Sequence, residues 1–338
     1  MPHPLRLFFP LACLLLFCSH DMFLKLGDYH LPPNTPVTLE LVNGTFAASE
    51  NTIDRSRMRD VSLVTDGERV ALDTTQWTER GHATLLHLTT GAAGTYVAGV
   101  STRTRTIAMD AQAFNGYLEH DGVLDELEWR GDNDALDQPA NERYAKHVKT
   151  IFQVGDRRTE DYATPLGYPV EFVPTTNPYD LRPGDELTVR LLLDGRPLPD
   201  QPVLIGNDGD HDHHHHAANA EHHHHAGRPV RTNDAGELTI PITAAGTWHL
   251  RTIHMVRLPD DPALTHESKW ATLTFGVAGG DPSHGHAHGG DHDHDHSDGH
   301  YHDHGHSHDH DHGPAAWMWW ALSLAVIGGL FFFFKSRS

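Results

Sequence analysis

The chain has 338 residues, enough for roughly two domains of ordinary size. Its 46 acidic and 25 basic residues give a formal charge of −21 with His neutral, and protonating all 32 histidines would raise it to +11. Phosphate binding needs clustered Lys and Arg, so nucleic acid is set aside as a partner. The two cysteines, Cys13 and Cys18, lie in an N-terminal apolar run, which excludes a disulfide framework or a Cys-type zinc site elsewhere.

Residues 1–19 read as a secretory signal peptide. A short n-region ends at Arg6, and the apolar run Leu7 to Phe17 is too short to span a bilayer. Cleavage after Ser19 would leave His20 as the new N-terminus.

Residues 20–178 are predicted to form an N-terminal β-sandwich. Short apolar runs between turn residues recur at Val37–Val42, Val61–Thr65, Leu85–Leu88, Thr95–Val100 and Thr104–Ala108. One patch, Ala111–Arg130, has helical spacing, with a break at Gly122. Its acidic outer face (Glu119, Asp121, Asp125, Glu126 and Glu128) reads as solvated surface. Strands follow at Tyr144–Val154 and Val170–Pro174. Asn177-Pro178 and Arg182-Pro183-Gly184-Asp185 are turn and linker chemistry, and place a domain boundary at 178/179.

Residues 179–278 form the second, smaller expected sandwich. Its strands are Glu186–Leu193, Gln201–Gly206, Glu237–Ile242, Trp248–Val256 and Lys269–Val277, with turns at Asp194–Leu198 and Asn233–Gly236. The succession resembles the transthyretin-like, carboxypeptidase-regulatory type of sandwich, which implies binding or spacing and not catalysis. The expected fold class is therefore mainly β, two β-sandwich domains plus a C-terminal transmembrane helix. That helix is 315–334, 20 residues without a charge, about 30 Å long. Trp317, Trp319 and Trp320 form an aromatic belt at one end. Lys335 and Arg337 assign the tail 335–338 to the cytoplasm.

Two histidine tracts punctuate this plan. The first, 209–227, is an inserted loop carrying His211, His213, His214, His215, His216, His222, His223, His224 and His225. The second, 279–313, is a disordered stalk before the membrane helix. It carries His284, His286, His288, His292, His294, His296, His300, His302, His304, His306, His308, His310 and His312. In an extended chain residues i and i+2 point the same way, so alternating His lines imidazoles along one edge at a pitch a divalent ion can bridge. Imidazole suits Ni²⁺, Co²⁺, Zn²⁺ and Cu²⁺, and the absence of interleaved Cys or Met argues against a dedicated Cu(I) site. Of the other histidines, His20 stands out, because a freed α-amine and its imidazole could chelate one ion. His249 and His254, five apart on one strand, face opposite sides.

Several segments together suggest a family. They are His20-Asp21-Met22-Phe23-Leu24-Lys25, Asn43-Gly44-Thr45-Phe46 with Ser49-Glu50-Asn51, and Arg55, Arg57 and Met58. Further on come Tyr117-Leu118-Glu119-His120-Asp121-Gly122, Glu142-Arg143-Tyr144 with Lys146-His147, Gln153-Val154-Gly155, Asn177-Pro178-Tyr179 and Trp270 to Phe275. The chain resembles a bacterial periplasmic family of unknown function, the DUF4198 type, whose members carry the label NikM-like component of nickel/cobalt uptake. The resemblance spans about residues 20–277. It implies no catalytic residues, and of its segments only His20 carries over as a metal ligand.

The expected function is metal handling by a non-enzymatic, exported protein anchored at the periplasmic face of the inner membrane by one span. It would capture or buffer Ni²⁺, Co²⁺ or Zn²⁺ for a transporter. Two rivals are a scaffold or adhesive ectodomain with an incidental His spacer, and a copper redox protein with an N-terminal His chelate. No HExxH, phosphate loop or Ser/His/Asp pattern supports a hydrolase.

Overall fold

The computed structural model describes residues 20–208 and 229–279. The expected signal peptide, both runs of clustered histidines and the span at 315–334 lie outside the described residues. Among those described, no helix is long and apolar enough to cross a membrane.

The chain begins with β1 (Asp21–Lys25), β2 (His30–Leu31), β3 (Pro36–Gly44), β4 (Met58–Thr65), β5 (Glu68–Ala71), β6 (Thr78–Arg80), β7 (Ala83–Thr89), β8 (Gly94–Thr102) and β9 (Arg105–Met109). Helices α1 (Ala111–His120) and α2 (Leu124–Asp132) precede β10 (Ala140–Val154) and β11 (Val170–Pro174). The rest is β12 (Glu186–Leu193), β13 (Arg196–Pro197), β14 (Pro202–Asn207), β15 (Val230–Arg231), β16 (Glu237–Pro241), β17 (Gly246–Arg257) and β18 (His266–Val277). The protein is mainly β, as the alternation of apolar runs and turn residues predicts.

Local chemistry explains the joints. Asp66-Gly67 between β4 and β5, and Asp194-Gly195 between β12 and β13, all have positive φ, the pair of left-handed residues a tight hairpin turn requires. Asp110 caps α1, accepting from Ala113 N–H at 2.8 Å. Gly122, at φ +70°, ends that turn and separates α1 from α2.

The strands make three sheets. The first runs β1-β3-β7-β6, and the third joins β11, β12, β13 and β16. The central sheet runs β15-β14-β17-β18-β10-β8-β4-β5, with β2 and β9 also pairing with β10. Its middle is buried on both sides: every residue of β8 is buried. At Gly99 a β-carbon would come within 2.2 Å of the Leu166 side chain, so only glycine lets the covering segment sit this close.

Strand β10 shows how the layers are held. Toward the first sheet it presents Lys146, which donates to the His20 carbonyl. Its neighbour β18 contributes Thr272 and Thr274, whose hydroxyls donate to Met22 and Leu24 carbonyls of β1. On the opposite face Lys149 donates to Glu171 Oε2 at 3.0 Å and to the Phe172 carbonyl at 2.9 Å, both on β11. The fold is thus a three-layer stack in which β10 and β18 meet both outer sheets.

Strands β10 and β18 pair in parallel from Glu142↔His266 to Thr150↔Thr274. The sheet therefore crosses the boundary expected at 178/179, and the described residues fall in one compact unit. Two sandwiches in series would have kept these strands in separate sheets. One edge of β18 pairs with its sequence neighbour β17, and the other pairs in parallel with β10, a partner no local pattern encodes.

The helical insert packs Phe114, Tyr117 and Leu118 against Met109, Ala140, Ile253 and Trp270. The expectation that its whole acidic face is solvated is corrected here. Asp121 and Glu126 are buried. Asp121 Oδ1 accepts from Arg251 Nη2 at 2.6 Å, and Glu126 Oε2 from Arg257 Nη1 at 3.0 Å. Basic residues on β17 turn these two carboxylates inward.

The Lys149–Glu171 pair is 1% exposed on both sides. Glu171 also accepts from the N–H groups of Leu166 and Gly167, each at 2.8 Å. Removing either charge strands its buried partner, a loss of about 3–5 kcal/mol. Glu171→Leu also orphans the two N–H groups, so it should destabilise more than Lys149→Met. Urea unfolding of both single variants and the double checks this. Equal losses for the two singles would contradict the asymmetry.

Candidate functional site

The largest concentration of buried polar chemistry surrounds a cavity of about 340 Å³ between the first sheet, the helical insert and the central sheet. Strand β1 brings His20 and Met22 to it, and the segment after β3 brings Asn51, Ile53 and Arg57. Strand β9 adds Arg105 and Ile107, α1 adds Tyr117, β10 adds Glu142, Tyr144 and Lys146, and β18 adds Trp270. Alternation sends Glu142, Tyr144 and Lys146 to one face of β10. The parallel register sets Lys146 beside Trp270.

One wall is a hydrogen-bonded carboxyl. Glu142 Oε1 accepts from the Ser268 hydroxyl and from Tyr117 Oη at 3.2 Å, while Trp270 Nε1 donates to Ser268 Oγ at 3.1 Å. Burial raises the Glu142 pKa, against the lowering pull of Ser268 and Tyr117. Burial, with Glu142 nearby, also pushes the Tyr117 hydroxyl well above its ordinary value. The Tyr117 and Trp270 rings stack at 6.1 Å, 8° from parallel.

The facing wall is cationic. Lys146 Nζ lies 4.7 Å from the Trp270 ring centre, and burial lowers its pKa to about 8 despite Asp21 and Asp121. Arg57 sits over Tyr144 at 5.6 Å. Its Nε and Nη2 atoms are buried and have no hydrogen-bond partner among the described residues.

His20, the expected folded-domain ligand, approaches Glu50 Oε2 at 2.7 Å and Asn51 Nδ2 at 3.2 Å. Among the described residues no group of three or more His, Cys, Asp or Glu is arranged to hold a metal ion. His249 and His254 do face opposite ways on β17. The His249 ring stacks on Phe46 at 3.9 Å, over Gly206, where a β-carbon would meet it at 2.2 Å. His254 Nδ1 lies 3.0 Å from Gln201 Oε1. The described residues stop at Asp208 and resume at Pro229, and the strands on either side, β14 and β15, pair antiparallel.

Sequence reasoning missed the cavity. Its residues come from seven separated segments, and only the resemblance pointed at them: His20, Asn43, Asn51, Arg57, Tyr117, Glu142, Tyr144, Lys146 and Trp270 all belong to the segments that carry it. A second cavity, about 280 Å³, lies along α2 and β17, with Arg251, Arg257 and Trp129 among its walls.

The fold and site define a layered β protein with a polar cavity among its layers. Comparison of sequences gives it a family: the chain belongs to DUF4198, a domain of unknown function, matched over residues 18–256. No curated protein matches it. Among solved structures it is similar to the D0-D1 domain of intimin, with 9% identity and TM-score 0.18 over 76% of this chain and 98% of that one. A DUF4785 family protein from Legionella pneumophila gives 8% and 0.21, over 67% and 50%. The Escherichia coli adhesin FdeC gives 15% and 0.18, over 77% and 64%. At such scores these likenesses carry no argument about function.

His147, next to Lys146 but on the other face of β10, bonds Ser101 Oγ through Nδ1 at 2.9 Å. Burial, reinforced by Arg59 and Lys269, lowers its pKa from 6.5 to about 4. Between these values the unfolded chain takes up a proton that the folded chain refuses. Stability should therefore fall as pH drops from about 6.5 toward 4, by an eventual loss of about 3 kcal/mol. Denaturation midpoints at pH 7 and pH 5 should differ less in His147→Gln than in the parent. An unchanged difference would contradict this assignment.

Proposed function

We propose that the protein captures and buffers divalent transition metal ions, Ni²⁺, Co²⁺ or Zn²⁺, and passes them to a membrane transporter. The observation that carries this reading is 22 histidines in two Gly- and Asp-rich tracts. Neutral imidazole is the side chain best suited to these ions, and loops that impose no geometry favour many weak, rapidly exchanging sites over one tight one. The strands on either side of the first tract, β14 and β15, pair with each other. The stalk would hold the second tract near a membrane anchored by the 315–334 helix, on the periplasmic side. In this reading the NikM-like label describes the pathway served, and the protein catalyses nothing.

Calorimetric titration with Ni²⁺ and Zn²⁺ should show several ions per chain. Deleting Asp210–His225 and His284–His312 should remove most of them, and unchanged stoichiometry would overturn the proposal. Imidazole must be neutral to ligate, so bound metal should leave as pH falls through about 6. Full retention at pH 4.5 would place the metal on carboxylates or in a buried centre instead.

A further inference from the structure

We propose that the 340 Å³ cavity binds a small organic carboxylate, seated on Arg57 and Lys146 with its carbon body against Tyr144 and Trp270. None of its described lining residues belongs to the histidine tracts, and the proposal does not depend on the metal reading.

The argument begins with unspent donors. Nε and Nη2 of Arg57 form one edge of the guanidinium, with two nearly parallel N–H groups that match the two oxygens of a planar carboxylate. Both atoms are buried without a partner. A buried donor left unpaired costs about 1–3 kcal/mol, more when charged. The side chain lines the cavity, so a small turn about its last bonds gives this edge an acceptor there. Lys146 Nζ has three donors, and among the described residues its one hydrogen bond goes to the His20 carbonyl. Arg105 adds a third cation to the lining.

The acidic groups nearby are already engaged. Asp54, which attracts Arg57 and Arg105, accepts from Ser56 N–H at 2.7 Å, Glu142 accepts from Ser268 and Tyr117, and Asp21 and Asp121, which act on Lys146, are both bonded to Arg251. The Tyr144 and Trp270 rings line the cavity beside these cations and offer carbon surface to the body behind the charged end. A volume near 340 Å³ lies at the small end of ligand sites, about 300–1,000 Å³, and fits a molecule the size of benzoate or succinate.

The test uses the full chain, stripped of metal on a chelating resin, at pH 7. Benzoate, succinate and inorganic phosphate are titrated by calorimetry. Benzoate or succinate should bind with one site per chain. Arg57→Lys keeps the charge but loses the paired edge, and should weaken binding at least tenfold while the melting temperature holds. Deleting both His tracts should leave carboxylate binding unchanged, which separates this site from the metal proposal. Crystals grown with 4-bromobenzoate locate the ligand on the unaltered protein through its bromine, whatever the variants do. Phosphate binding in preference to carboxylate, binding undiminished in a folded Arg57→Lys, bromine outside the cavity, or no binding at all would each overturn the proposal.

Discussion

Arg251 is the interaction on which the arrangement of the site depends. Its side chain is 7% exposed, yet it holds three elements at once. Nε bonds Asp21 on β1, Nη1 donates to the Asp121 carbonyl at 2.8 Å, Nη2 reaches Asp121 Oδ1 at 2.6 Å, and the guanidinium lies 5.3 Å from the Trp270 ring. Burial opposes its charge, and Asp21 with Asp121 outweigh that, so its pKa is raised. A buried guanidinium repays desolvation only with nearly complete pairing. That demand fixes where β1 begins, where α1 ends and how Trp270 stands, and each of these contributes to the cavity. Without Arg251, Asp21 and Asp121 would be two carboxylates facing each other with no cation between them.

A second constraint is topological. Strand β10 has 15 residues and pairs with β18, β9, β8 and β2 along its length. A strand with neighbours on both edges and layers on both faces can expose almost nothing. Its inward polar residues must therefore find partners inside the protein: Lys146 meets the His20 carbonyl, Lys149 meets β11 of the third sheet, and His147 meets Ser101 on β8 of its own sheet. Polar residues on such a strand specify which layer sits where, while apolar burial supplies most of the driving force.

Much of the strand inventory was legible from local chemistry. Apolar runs bounded by Asp-Gly and Pro-Gly turns became β4, β8, β12, β14, β17 and β18 close to their expected limits, and Gly122 did divide the helical patch. Three things were not legible. The parallel β10–β18 pairing joins residues some 124 apart, and no local pattern encodes it. The inward turn of Asp121 and Glu126 depends on Arg251 and Arg257, more than a hundred residues away. The cavity is assembled from segments whose single residues each look ordinary: one Arg, one Lys, one Glu, a few aromatics. Periodicity reports which face is buried but says nothing of which distant side chain meets it.

The two proposed sites divide by charge in a way elementary electrostatics supports. At about 4 Å, a like unit charge costs about 4 kcal/mol at an effective dielectric of 20, and about twice that for a divalent ion. Arg57, Arg105 and Lys146 therefore make the cavity a poor host for a metal cation and a good one for an anion. The tracts are the reverse, since they carry Asp and neutral imidazole and no Lys or Arg occurs from Ala271 to Phe334. His20 sits at the seam, with its ring against Glu50 and its carbonyl held by Lys146. A metal ion on His20 would have to accept that ammonium as a neighbour, whereas an ion on the tracts would not. The cationic wall thus gives a physical reason why the proposed metal binding falls to the histidine tracts and the proposed carboxylate binding to the cavity.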